Sequence, residues 1–116
     1  VAECIFCKIV SGEIPADKVW EDDHAVAFRD IRPIAPVHVL IVPRAHRESF
    51  ADLTAEDAPF LASLARAIGE IAEKEGVARS GYRLISNTGP DAGQEVFHLH
   101  VHLLGGRPLG PMLKKA

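Results

Sequence analysis

Two rhythms of apolar and polar positions run along this 116-residue chain. Over residues 54–75, Phe60, Leu61, Leu64, Ile68, Ile71 and Ala72 recur at spacings of three and four, the stripe of an amphipathic helix. Thr54 and Asp57 resemble a capping box, but Pro59 lacks an amide hydrogen, so the regular helix is predicted to begin nearer Asp57. Gly76 is a natural stop. Glu70, Glu73, Lys74 and Glu75 read as its solvated side, without function. Shorter runs read as strands: 19–21 and 25–29 joined by an Asp22-Asp23 turn, the β-branched 38–43 closed by Pro43 as a central strand, then 81–87 and 97–104. Residues 4–10, with Ile5, Phe6 and Ile9 on one side and Ser11-Gly12 after them, read as a short helix. The order β-β-β-α-β-β favours an α+β fold, an antiparallel sheet with one long helix on a face.

The last strand carries unusual chemistry. In Phe97-His98-Leu99-His100-Val101-His102-Leu103-Leu104, period-two alternation sends His98, His100 and His102 to one face and Phe97, Leu99, Val101 and Leu103 to the core. Half of the chain's six histidines fall here. An exposed polar face or an adventitious metal site would be the plain reading. The outer two Cα atoms lie roughly 13 Å apart at strand rise, so three imidazoles converge on one ion only with difficulty and separate jobs fit better. Neutral imidazole serves as nucleophile, acid, base or ligand near neutral pH. Residues 87–94 before the strand offer backbone amides freed by Gly89 and Gly93, together with side-chain amides, where a phosphate can be held. An imidazole in line with that phosphorus can displace its leaving group and form a water-labile phosphohistidine bond.

Composition narrows the setting. With 47% hydrophobic and 25% charged residues, the chain reads as one ordinary globular domain, residues 1–116. A net charge of −3, with Lys and Arg scattered, argues against a nucleic-acid surface but not against one small anion. No apolar run reaches the roughly 20 residues of a membrane span, and no signal segment is read, so the cytoplasm is the expected location. In that setting Cys4-x-x-Cys7 reads as reduced thiols, metal ligands or a redox pair.

The motif His98-Leu99-His100-Val101-His102-Leu103-Leu104 resembles the His-φ-His-φ-His-φ-φ signature of the histidine triad (HIT) superfamily. Blocks CIFCKIVSGEIPA, DDHAVAFRDIRPIAPVHVLIVPRAH and NTGPDAGQEVFHLHVHLLGGRPLG are similar to its Hint branch, and Gly105-Gly106-Arg107 is characteristic of that branch. The resemblance implies a five-stranded antiparallel sheet with one long and one short N-terminal helix, dimerising into ten strands. It implies hydrolysis of purine nucleoside 5′-phosphoramidates and related aminoacyl adenylates. Dinucleoside polyphosphate hydrolysis, nucleotidyl transfer and a non-catalytic nucleotide-binding module are the alternatives.

Carried onto this chain, the resemblance makes His100 the nucleophile at the α-phosphate and lets His102 contact phosphate and assist proton transfer to the amine. His38 supports the triad from the neighbouring strand, and His98 anchors it. Asn87, Gly93, Gln94 and Glu95 match the phosphate-contact segment; Glu95 stands where animal relatives commonly carry serine, so only its backbone is carried over. Asp30 matches the ribose-binding carboxylate, with Phe6, Ile9, Ile14, Phe28, Ile31 and Leu40 around the base. Most of those apolar residues fit a core equally well. Some relatives bind zinc through a cysteine pair, a histidine about fifty residues before the triad, and the triad's first histidine. Cys4, Cys7, His46 and His98 match that set, which implies a structural ion that catalysis does not require.

Overall fold

The structure is a computed structural model describing residues 4–114. The ends of the expected domain, residues 1–3 and 115–116, lie outside the described residues. Helix α1 (Ile5–Ser11) leads into strands β1 (Lys18–Glu21), β2 (Ala25–Arg29) and β3 (Val37–Pro43); helix α2 (Ala58–Lys74) precedes β4 (Tyr82–Ile85) and β5 (Val101–Gly105). The sheet runs β1-β2-β3-β5-β4 with antiparallel neighbours, the α+β architecture expected.

Period-two alternation divides the sheet's side chains between two layers. Ala25, Ala27, Val39, Ile41, Val101 and Leu103 face α2 and pack with Phe60, Leu64, Ala67 and Ile71. On the other face Val26, Phe28, Leu40 and Val42 pack under Phe6 and Ile9 of α1. Strand β3, covered on both sides, is therefore almost continuously apolar. Opposite Leu40 in the register stands His102, which places the end of the triad on the α1 face.

Helix starts and stops follow their local chemistry. A 3₁₀ turn over Ala55–Asp57 carries the reciprocal Thr54–Asp57 capping box, and the regular helix begins only at Ala58, just before Pro59. Gly76 takes a positive φ and Val77 N–H reaches back to Ala72 O, closing the end. The polar residues near that end hold the first two strands. Trp20 Nε1–H donates to Glu70 at 2.9 Å, Arg29 pairs with Glu75 at 2.7 Å, and Lys74 Nζ donates to Val19 O. This corrects the reading of Glu70, Lys74 and Glu75 as merely solvated: their partners come from β1 and β2, distant in sequence.

The strand 97–104 is shorter than expected. Regular pairing begins at Val101, and Phe97 is 50% exposed rather than in the core. Leu99 N–H donates instead to Arg47 O, holding residues 97–100 off the ladder, although Leu99 itself is buried. The strand's other end explains the paired glycines. A Cβ on Gly105 would lie 3.1 Å from both Gly81 O and Val77 Cγ1, and Gly106, at φ +96°, would place one 2.8 Å from Pro36 Cβ.

Candidate active site and metal centre

Backbone partners decide which nitrogen of each imidazole bears a hydrogen, because a carbonyl only accepts and an amide N–H only donates. His98 is fully buried, and its Nε2–H donates to Pro43 O at 2.9 Å, so Nδ1 offers a lone pair toward α1. His100 Nδ1–H donates to His98 O at 2.8 Å, leaving Nε2 as a bare lone pair. On the neighbouring strand, His38 Nδ1 accepts from Ile34 N–H at 3.2 Å, so its Nε2–H donates to His102 Nδ1 at 2.9 Å. His102 then keeps its hydrogen on Nε2. Neighbouring imidazoles thus differ in kind, an acceptor at His100 and a donor at His102, with ring centroids 5.0 Å apart.

Burial favours the neutral forms of His102, His38 and His98. It lowers the pKa of His102 to about 4, helped by the His100 and His38 rings and opposed by Asp30. Burial likewise lowers His38, again against Asp30, and lowers His98. Asp30 Oδ2 sits 3.5 Å from His38 Nε2, while Oδ1 accepts from Arg32 N–H. Asp30, His38 and His102 are close enough to suggest an ion site. However, His38 Nδ1 is already an acceptor, so its Nε2 holds a hydrogen and cannot also ligate. His38 and His102 form a hydrogen-bonded pair, with the Asp30 carboxylate beside His38.

At the other end, Cys4, Cys7, His46 and His98 gather ligand atoms that all lie within 4.8 Å of one another. Cys4 Sγ is 3.2 Å from His98 Nδ1, Cys7 Sγ is 3.2 Å from His46 Nδ1, and Cys7 Sγ is 3.5 Å from His98 Nδ1. Tetrahedral zinc with bonds of about 2.3 Å to sulfur and about 2.0 Å to nitrogen spaces adjacent S and N ligands by about 3.5 Å. The donor set fits. The Pro43 carbonyl, holding His98 Nε2–H, supplies the outer-shell contact that orients a ligating imidazole. Burial and the adjoining Cys4 raise the Cys7 thiol pKa, the opposite of what a bound dication would do.

The remaining predicted site residues are placed less uniformly. Phe6, Ile9, Phe28 and Leu40 form one buried cluster, with Ile14 packed on its margin. Phe6 stands edge-on to His100, with centroids 5.1 Å apart. In contrast Ile31 is 91% exposed, as is 69% of Ile34, which the sequence reading missed although it sits apolar in the proline-bracketed loop beyond Asp30. In the glycine loop Asn87 is half-buried, whereas Gly93 and Glu95 are exposed. Gln94 turns inward: Oε1 accepts from Gly89 N–H, and Nε2–H donates to Glu48 O and Val96 O, so its amide is committed to the loop. A second residue escaped sequence reading. Ser86 Oγ donates to His100 O at 2.9 Å and fixes the nucleophile's backbone; a hydroxyl just past the Leu84-Ile85 end of β4 was its only signal.

Fold and site together define a class: a five-stranded sheet presenting one acceptor and one donor imidazole beside a Cys₂His₂ cluster. A HIT domain matches residues 11–109, and the chain belongs to the HIT family. It is 53% identical over 111 residues to the purine nucleoside phosphoramidase of Escherichia coli strain K12, covering 96% of this chain and 93% of that protein. A HIT family hydrolase from Clostridium thermocellum superposes with TM-score 0.93 at 45% identity, covering 98% of this chain and 99% of that one. A histidine triad protein from Clostridium difficile superposes with TM-score 0.91 at 43% identity, covering 97% and 98%.

Proposed function

We propose that the protein hydrolyses the P–N bond of purine nucleoside 5′-phosphoramidates, and of related aminoacyl adenylates, through a nucleotidyl-His100 intermediate. The observation that carries this reading is the pairing of a bare His100 Nε2 with an N–H on His102 Nε2. His100 attacks phosphorus and the P–N bond breaks. His102 donates toward the phosphate and the departing nitrogen, while His38 holds it in the donor tautomer. Water then attacks the His100–P bond; its oxygen joins phosphorus, one hydrogen stays on the phosphate, and the second balances the proton taken by the amine. Asn87 and the backbone at exposed Glu95 receive the phosphate beside Gly93, whose own N–H already donates to Pro90 O; Asp30 receives the ribose hydroxyls, and Ile31 with Ile34 the purine. Since Phe6, Ile9, Phe28 and Leu40 are packed, they support that surface from beneath.

Turnover of adenosine 5′-phosphoramidate tests the assignment. His100→Ala should remove turnover by several orders of magnitude with the fold retained, since loss of a covalent nucleophile leaves only binding and orientation. Retained turnover overturns it, and a strong preference for a diadenosine polyphosphate would redirect the substrate class.

Three finer readings belong with it. Zinc in the Cys₂His₂ site is structural, because four protein ligands close the tetrahedron; it would tie α1 to the triad and hold His98, and no step passes through it. Cys7→Ser should lower both metal content and Tm. An unpaired outer edge on β4, with Leu84 45% exposed, supports a homodimer with a continuous ten-stranded sheet, which sedimentation tests directly. Two reduced thiols support the cytoplasm, and among the described residues no helix is long and apolar enough to cross a membrane. We treat residues 1–116 as a single domain.

A further inference from the structure

We propose that Cys4 and Cys7 are a redox modification site: peroxide converts them to a disulfide, and that change disables His100. Both cysteines are free, Cys7 N–H donates to Cys4 Sγ at 3.3 Å across one short turn, and the two sulfurs lie within 4.8 Å of each other. A surface cavity of about 400 Å³, lined by Cys4, His46, Glu95 and Phe97 among others, opens Cys4 to a small oxidant, with Cys7 one helical turn behind it.

The coupling to the triad is direct. A disulfide draws its sulfurs to about 2.0 Å apart. Such a bond takes them away from His46 Nδ1 and His98 Nδ1, which they now face at 3.2 Å. His98 O is the acceptor that fixes the tautomer of His100. Phe6 lies between the two cysteines on α1 and stands edge-on to both His98 and His100. Rearranging the turn therefore disturbs the nucleophile through its backbone acceptor and through the ring packed against it. Cys4, at the cavity, attacks the peroxide as its thiolate, giving a sulfenic acid and hydroxide, and the hydroxide takes the proton of Cys7. The Cys7 thiolate attacks that sulfur, the S–S bond forms and the sulfenic oxygen leaves as water. Two sulfurs supply two electrons, and peroxide ends as two waters once protons are taken up; any zinc departs as the aqueous ion. A dithiol reverses the step by exchange.

This regulation rests on the function proposed above in its turnover arm only. The protein as purified is treated with a slight excess of hydrogen peroxide and followed by intact mass, peptide mapping, zinc release to a chromogenic chelator, and adenosine phosphoramidate turnover. The expected result is loss of two hydrogens per chain, a Cys4–Cys7 crosslink, and turnover down about tenfold or more, restored by dithiothreitol with zinc. In Cys4→Ser/Cys7→Ser the ratio of treated to untreated turnover should stay near one. Should that variant fail to fold, the wild-type time course decides, because crosslinking and inactivation must share one rate. Oxygen adducts on a single sulfur without a crosslink, or a crosslink with undiminished turnover, overturn the proposal. Protein purified without zinc that still crosslinks and loses turnover supports the switch and overturns only the zinc reading. If untreated protein does not turn the phosphoramidate over, the function reading fails, and AMP affinity measured before and after oxidation reads the same coupling.

Discussion

Replacing Gly106 by alanine isolates one close approach on which the site depends. Gly106 sits at φ +96°, and an added Cβ would lie 2.8 Å from Pro36 Cβ and 3.3 Å from Pro36 Cγ. Left-handed backbone costs a residue bearing a Cβ about 1–2 kcal/mol. Forcing atoms into packed space adds about 1–3 kcal/mol, for a total of about 2–5 kcal/mol. Gly110 provides the control, with φ +82° and nothing within 4 Å of its added Cβ. Gly110→Ala should therefore lose only the backbone part, about 1–2 kcal/mol. Pro36 precedes Val37 and His38, so the displaced proline also moves the start of β3, and Gly106→Ala should lower kcat as well as stability. The assay is urea unfolding at matched protein concentration and equal slope, with the midpoint difference giving the cost. A cycle with Pro36→Gly, which removes the opposing Cβ, should recover about 1–3 kcal/mol as coupling. Equal losses for Gly106→Ala and Gly110→Ala, or a cycle without coupling, would refute the contact argument.

Acid should destabilise the fold through the triad. His102 titrates at about 4 in the folded protein, below the ordinary value near 6.5, so the unfolded chain binds its proton first. Its contribution is whole above about pH 6.5 and lost as pH falls toward about 4, by up to about 3 kcal/mol, with His38 acting in the same direction. Unfolding free energies across that window check this, and His102→Asn should flatten the slope. Gln94→Ala strips partners from Gly89 N–H, Glu48 O and Val96 O, and should cost about 2–4 kcal/mol in thermal or urea unfolding. Ser86→Ala removes one bond to the nucleophile's carbonyl; kcat should fall more than KM changes, with stability lower by about 1 kcal/mol.

Much of this architecture was legible because it is local. Helix α2 announces itself through its apolar stripe, and its delayed start follows from Thr54, Asp57 and Pro59 alone. The apolar run of β3 and the alternation at Leu99, Val101 and Leu103 needed no tertiary knowledge to be read as buried. What sequence could not supply were partners set by folding. Phe97 left the core because Arg47, in another segment, captured the amide of Leu99. Gln94 looked like a phosphate donor until Glu48 O, forty-six positions away, claimed its amide. The triad's spacing identified three imidazoles. Their different tautomers depend on Pro43 O, His98 O and Ile34 N–H, groups every sequence contains and none advertises.

The β3–β5 pairing has a consequence for which length changes the family can accept. Pro43 O, at one end of β3, holds His98, while His38, near the other, holds His102. Their intervening register pairs Ile41 with Val101 and Leu40 with His102. The distance along one chain is thus measured against the distance along the other at two fixed points. A single residue inserted or deleted between 38 and 43, or between 98 and 102, would break one anchor whenever it kept the other. Insertions should accumulate instead in the tail beyond Arg107 or around residues 76–81, while the two paired segments vary in side chain but hold their length.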